Sequence, residues 1–268
     1  MTSGSRRRVD RLLVEQGLAD SREKAQALIL AGVVYRDGVR VEKAGQAVPE
    51  KTCLVVHGQE HPYVSRGGLK LEGALKEFRI KLDGLDVLDV GASTGGFTDC
   101  LLQHGVSLVC AVDVGYGQLA WKLRNDPRVI LFERTNIRHL DFETVGRLFD
   151  LAVIDASFIS LRLIIPKVLE FLKTGGRILA LVKPQFEAGA EEVGRRGLVK
   201  NREDHRKVLE HLREFSQTLS LRVLGETESS IRGKKSGNRE FFMFFEKTLQ
   251  TPAFSFPTDT INIETQND

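Results

Sequence analysis

Apolar positions along this chain follow one spacing in the first sixty residues and another beyond them. Val9, Leu12 and Leu13 recur at helical intervals among Arg6, Arg7, Arg8 and Arg11, and Gly17 stands where that helix should stop. A second helix is expected from Asp20 or Ser21, with Glu23 in its first turn, Ala25, Leu28 and Ile29 facing inward, and Gly32 closing it. Residues 33–35 and 39–41 flank an Asp37–Gly38 turn and read as a hairpin, with a further strand at 53–56. The order helix, helix, short strands describes a small α+β unit over residues 1–60, followed by a hinge at 61–67 around Pro62.

From Leu71, Leu75 and Phe78 onward the pattern becomes alternating strands and helices. Strands are expected at 87–90, 108–112, 129–132, 151–154 and 178–182, with helices at about 96–104, 117–125, 141–148 and 161–173 between them. Such alternation specifies a parallel, doubly wound sheet covered by helices on both faces. A helix near 202–219, a strand at 221–226 and a strand at 241–245 follow. The last two strands have no helix between them, so they run antiparallel and the mostly parallel sheet ends in a reversed strand. This second domain spans 68–247, and a tail at 248–268 carries no periodicity.

Composition narrows the class further. A length of 268 residues suits two domains, and 41% hydrophobic with 28% charged residues is globular. No apolar run reaches the length of a membrane span and the N-terminus has no apolar signal core, so a cytoplasmic protein is expected. The three cysteines, Cys53, Cys100 and Cys110, form no CxxC pair, and the six histidines have no metal spacing. A net charge of +3 does not announce a nucleic-acid partner, but its distribution is suggestive. Arg6, Arg7, Arg8, Arg22, Lys24 and Arg36 gather around the first two helices and the hairpin, where they read either as solvated faces or as a footprint for phosphates.

The chemistry begins at Asp89-Val90-Gly91-Ala92-Ser93-Thr94-Gly95-Gly96-Phe97-Thr98. A buried strand runs into a small-residue turn and then a helix start, whose free N–H groups and bare backbone suit a ligand. Asp113 ends the next strand, where a carboxylate can accept from ribose hydroxyls. A dinucleotide fingerprint needs a second glycine where Ser93 stands, so a nicotinamide cofactor is disfavoured. The D-x-G-x-S-x-G spacing instead resembles motif I of Rossmann-like methyltransferases, which implies S-adenosylmethionine as cofactor.

Polar residues at strand ends add to this. Asp155 and Lys183 end two parallel strands and Glu240 precedes the reversed one, so all three fall on one edge of the sheet. Lys70 follows Ser65-Arg66-Gly67-Gly68 at the entry to the domain. The second domain resembles the FtsJ-type ribose 2′-O-methyltransferases, which share a Lys-Asp-Lys-Glu tetrad. The whole chain, from residue 6 to about 247, is similar to the TlyA family, described both as hemolysins and as ribosomal RNA 2′-O-methyltransferases. The segments that carry this are VSRGGLKL at 64–71, DVGASTGGFTD at 89–99, AVDVGYGQL at 111–119, TNIR at 135–138, VIDASFISL at 153–161, LVKPQFE at 181–187 and GNREFF at 237–242.

The resemblance implies an RNA-binding N-terminal domain like that of the fourth small-subunit ribosomal protein, with ribosomal RNA or ribosomal subunits as partner. It puts the catalytic tetrad on Lys70, Asp155, Lys183 and Glu240. Lys183 would be the base, with Asp155 and Glu240 orienting it and Lys70 holding the ribose or its phosphate. Gly91, Ser93, Thr94, Gly95, Gly96, Phe97, Asp113, Asn136 and Asp155 are the expected donor contacts, although Phe97 reads equally well as core. Arg66 and two basic loops, one with Arg195 and Arg196, the other with Lys234 and Lys235, complete the expected RNA surface. Three alternatives remain: a membrane-active hemolysin-like protein, a non-catalytic RNA-binding assembly factor, and a methyltransferase acting on a small molecule or protein.

Overall fold

A computed structural model describes residues 6–19, 21–56, 62–188, 198–199, 201–231 and 238–249. The expected basic-loop residues Arg195, Arg196, Lys234 and Lys235 lie outside these residues, as do residue 61 of the hinge and residues 250–268 of the tail. The chain divides into two compact units, Met1–Tyr63 and Val64–Asp268.

The first unit holds β1 (Arg6–Arg8), α1 (Val9–Glu15), α2 (Arg22–Leu30), β2 (Val34–Arg36), β3 (Val39–Arg40), β4 (Ala47–Pro49) and β5 (Leu54–Val56). Ser21 caps α2, its Oγ accepting from the Lys24 N–H, so the start expected from sequence is the start observed. Asp37 and Gly38 both have positive φ, 51° and 78°, the pair of left-handed residues that a two-residue hairpin turn requires. Strands order as β3-β2-β5, and Val9, Leu13, Ala25, Val34 and Val48 are fully buried in the core of this unit. The arginine run departs from expectation. Arg6–Arg8 do not extend α1; they form a strand antiparallel to β4, with Arg7 opposite Val48. Helical spacing begins only at Val9, because three consecutive arginines offer no apolar face to bury.

The second unit holds α3 (Gly67–Glu77), β6 (Asp86–Val90), α4 (Gly96–Gln103), β7 (Leu108–Val112), α5 (Trp121–Arg124), β8 (Val129–Phe132), α6 (Phe142–Val145), β9 (Phe149–Ile154), α7 (Ile165–Glu170), β10 (Leu172–Val182), α8 (Pro184–Glu187), α9 (Arg202–Thr218), β11 (Leu221–Glu228) and β12 (Phe241–Lys247). One sheet of seven strands runs β11-β12-β10-β9-β6-β7-β8. Its strands are parallel except β12, which is antiparallel to both neighbours and is inserted between β10 and β11. The run Ile178 to Val182 is buried on both faces of β10, as expected of a parallel strand covered on each side. Each large aliphatic side chain placed there contributes about 1.5–3 kcal/mol.

Three expected helices are shorter in the structure. The 117–125 segment contributes only the single turn α5, since Gly117 at φ 65° lies outside the right-handed helical region. The 141–148 segment ends at Val145, before left-handed Gly146. The 161–173 segment splits into a 3-10 turn, Leu161–Leu163, and α7, after which Leu172 already belongs to β10.

Candidate active site

Chain order along the sheet reverses at β6. From β6 the chain moves outward to β7 and β8, then returns to β9 on the other side of β6. In open α/β sheets such a reversal opens a crevice beyond the carboxyl ends of the strands. A cavity of about 440 Å³ lies there, lined by Gly91, Ser93, Asp113, Asn136, Asp155 and Ser157, with Val90, Val112 and Ile137 on its apolar side. That volume falls in the range of small-molecule sites.

The motif I turn shapes this cavity by close packing. Gly91 has φ 87°, and a Cβ there would stand 2.7 Å from the Asp155 carbonyl oxygen, so only glycine lets β6 and β9 converge at the rim. Gly96 serves packing instead: a Cβ on it would collide with Ser65 Oγ. Phe97 is buried and stacks on Phe242 with ring centroids 6.2 Å apart, which favours the core reading. Of the nine expected donor contacts, Gly91, Ser93, Asp113, Asn136 and Asp155 line the cavity. Thr94, Gly95, Gly96 and Phe97 do not line it.

Asp113 ends β7 with both oxygens engaged, accepting from the Ser93 N–H at 2.8 Å and the Gly115 N–H at 2.6 Å. Those bonds tie the motif I turn to the loop after β7. Asn136 accepts from the Arg138 N–H at 3.1 Å, capping a 3-10 turn. Asp89 lies fully buried under the turn, where one oxygen accepts from Thr98 Oγ1 at 2.6 Å and Oδ1 has no hydrogen-bond partner among the described residues. Burial, with lesser repulsion from Asp155 and Asp113, pushes its carboxyl up to about 7.

The four expected tetrad residues form two ion pairs. Lys183 Nζ stands 2.6 Å from Asp155 Oδ1, and Lys70 Nζ donates to Glu240 Oε2 at 2.5 Å. Strand register explains their approach. Val182 pairs with Phe241 in the β10–β12 ladder, so Lys183 and Glu240 flank its last pair. Asp155 follows Ile154 on β9, the other neighbour of β10. One expected role changes here: Glu240 binds Lys70, while the partners of Lys183 among the described residues are Asp155 and Ser157.

Two residues at the site carried no role in the sequence reading. Ser157 Oγ accepts from Lys183 Nζ at 2.7 Å. Buried Glu187 on α8 accepts from Ser160 Oγ at 2.6 Å and from the Leu161 N–H at 2.8 Å, fastening the loop after β9. Burial raises the Glu187 carboxyl above its ordinary range. The signal for both was present in the segments DASFISL and KPQFE, but a serine or glutamate there has no diagnostic spacing.

The basic residues of the first unit mostly have partners within it. Arg8 and Arg22 bind buried Asp10 at 2.8 and 3.2 Å, and Arg7 binds Glu50 at 3.2 Å. Arg36 stands 3.7 Å from Asp37, and Arg6 donates to the Ala47 carbonyl. Arg66 is exposed at the start of α3, and Lys24 is half-buried on α2.

A doubly wound sheet with a reversed penultimate strand in space and a cavity at the β6 switch point defines a Rossmann-like methyltransferase fold. A model of the FtsJ-like methyltransferase family matches residues 63–247, and one of the S4 domain matches residues 7–52. The candidate rRNA methyltransferase YqxC of Bacillus subtilis is 50% identical over 246 residues, 91% of this chain and 86% of that protein. The 16S/23S rRNA (cytidine-2′-O)-methyltransferase TlyA of Mycobacterium tuberculosis is 46% identical over 240 residues, 89% of each chain. A solved structure of a candidate hemolysin from Streptococcus thermophilus superposes with a TM-score of 0.70 at 46% identity, covering 91% of this chain and 89% of that one. The chain belongs to the FtsJ-like methyltransferase family, among the TlyA proteins that carry an S4 domain before it.

Proposed function

We propose that this chain transfers the methyl group of S-adenosylmethionine to a ribose 2′-hydroxyl of ribosomal RNA. One observation carries the reading: Asp155 lines the cavity and also stands 2.6 Å from Lys183, so the donor pocket and the candidate base share a wall. The residues fit the donor. Gly91 leaves bare backbone at the rim, Val90, Val112 and Ile137 offer apolar cover for an adenine, and Asp113 and Asn136 stand where polar edges of an adenosine would lie.

Bound there, S-adenosylmethionine supplies an activated methyl group. The chain's own residues do the rest. A ribose hydroxyl is a poor acid, and Lys183 is placed to take its proton as the oxygen attacks. Asp155 compensates the ammonium so formed, and the Lys70–Glu240 pair presents a positive group to the ribose or its phosphate. Alignment of hydroxyl and methyl supplies much of the acceleration. The S4 domain, with Lys24 and the arginines around α1 and α2, would hold the RNA, joined by Arg66 of the second unit and by the segments bearing Arg195, Arg196, Lys234 and Lys235. An rRNA acceptor puts this work in the cytoplasm.

The test is methyl transfer from labelled S-adenosylmethionine to ribosomal RNA, naked and in purified subunits. Label on a ribose with the wild-type chain and none with Lys183→Ala, which should still bind S-adenosylhomocysteine, is the expected result. Near-normal activity of Lys183→Ala would overturn the assignment of the base. The hemolysin description of a relative favours a second reading, a membrane-active protein. Among the described residues no helix is long and apolar enough to cross a membrane.

A further inference from the structure

We infer that Ser157 is a positioning residue for Lys183, the group that sets the direction of its amine; this rests on the proposed role of Lys183 as base. A primary amine acting as base has two N–H groups and one lone pair. The lone pair removes a proton only if it faces the hydroxyl, yet the amine turns freely about its last carbon–nitrogen bond. A partner must therefore hold at least one N–H in a fixed direction.

Ser157 meets that requirement. Lys183 Nζ donates to Ser157 Oγ at 2.7 Å, within hydrogen-bond distance and geometry. Asp155 Oδ1 is equally near, at 2.6 Å, but without hydrogen-bond geometry, and that oxygen is left without a hydrogen-bond partner among the described residues. The two neighbours thus divide the work. Asp155 compensates the charge that Lys183 carries once it has taken the proton, and Ser157 fixes the orientation of its nitrogen.

Ser157 is itself fixed with respect to Lys183. It stands three residues beyond the end of β9 and lines the cavity beside Asp155. Four residues after Lys183, Glu187 accepts from Ser160 Oγ at 2.6 Å and the Leu161 N–H at 2.8 Å. The segments 155–161 and 183–187 are consequently laced at two points, once by Ser157 with Lys183 and once by Glu187. A serine fastened in this way can hold an amine whose own side chain is only 10% exposed.

The experiment compares wild type, Ser157→Ala, Ser157→Thr and Lys183→Ala in the full chain, with labelled S-adenosylmethionine and purified ribosomal subunits. Melting temperature and affinity for S-adenosylhomocysteine are measured alongside. For Ser157→Ala we expect kcat to fall about 10- to 100-fold, the cost of a misdirected reacting group, with KM for the subunits and affinity for S-adenosylhomocysteine within about twofold. Ser157→Thr keeps the hydroxyl and should recover kcat to within about threefold of wild type. Wild-type kcat in Ser157→Ala, with Lys183→Ala inactive, would overturn the positioning role while leaving the function standing. A rise in KM or loss of S-adenosylhomocysteine binding at unchanged kcat, or failure of the threonine rescue, would equally overturn it. No ribose methylation by the wild-type chain would remove the proposed function, and this role with it.

Discussion

Lys70 and Glu240 meet at 2.5 Å across 170 residues of sequence, with side chains only 12% and 4% exposed. Neither can lose its partner without leaving a nearly buried charge uncompensated. Glu240→Ala should therefore destabilise the second unit by about 3 kcal/mol, as well as lower methyl transfer. Glu240→Gln, which retains an acceptor, should cost less. The double variant Lys70→Met with Glu240→Ala should recover most of the lost stability, since it removes both charges. Urea unfolding of these proteins and of the single variant Lys70→Met checks this, and strictly additive losses in the two single variants and the double variant would show that the pair is not coupled.

Asp89 makes stability depend on pH in a direction opposite to most carboxylates. Its carboxyl is pushed up to about 7 by burial, above the value of about 4 expected in the unfolded chain. The folded state holds that proton more tightly, so the contribution is fully present below pH about 4 and is lost as pH rises towards 7. Asp89→Asn, which cannot ionise, should flatten the stability curve across this window. Unfolding measured at intervals from pH 4 to 7.5 tests it; parallel curves for the two proteins would contradict the assignment.

Asp10 behaves in the reverse sense within the first unit. Its side chain is fully buried, and the Arg8 guanidinium holds its carboxyl well below the usual range, aided by Gln26 and Arg22. A depressed value means that its stabilisation is fully present above the unfolded value of about 4, begins to fall below it, and is lost only as pH passes the lower folded value. Replacing it by alanine should cost about 1.5–3 kcal/mol, the contribution of hydrogen bonds to a charged group. Amide exchange in α1 and α2 is the appropriate probe, because it reports this unit separately. Faster exchange in Asp10→Ala at pH 7, with the difference from wild type narrowing as pH falls below about 4, is expected.

Local elements were legible wherever a short-range rule decided them. Ser21 caps α2 because its oxygen reaches a free N–H three residues on. The Asp37–Gly38 turn forms because both positions tolerate positive φ. Residues 178–182 read as a buried strand because they are apolar without interruption. Where no such rule operates, the reading strayed. Arg6–Arg8 became a strand only because β4 lies beside them, and α5 and α6 shrank to single turns beside left-handed glycines.

The sequence by itself determined the strand–helix alternation, the glycine turn after β6 and the sheet edge on which Asp155, Lys183 and Glu240 fall. These follow from periodicity, and from the rule that loops after parallel strands gather at one edge. Only the tertiary structure decided partnership. Insertion of β12 between β10 and β11 brings Glu240 beside the end of β10, yet its carboxylate turns to Lys70 on α3. The loop after β9 folds back so that Ser157, and not Glu240, receives the Lys183 hydrogen bond. The physical reason is one of range. Propensity and capping act over a few residues, whereas the pairing of a buried charge depends on which strands become neighbours.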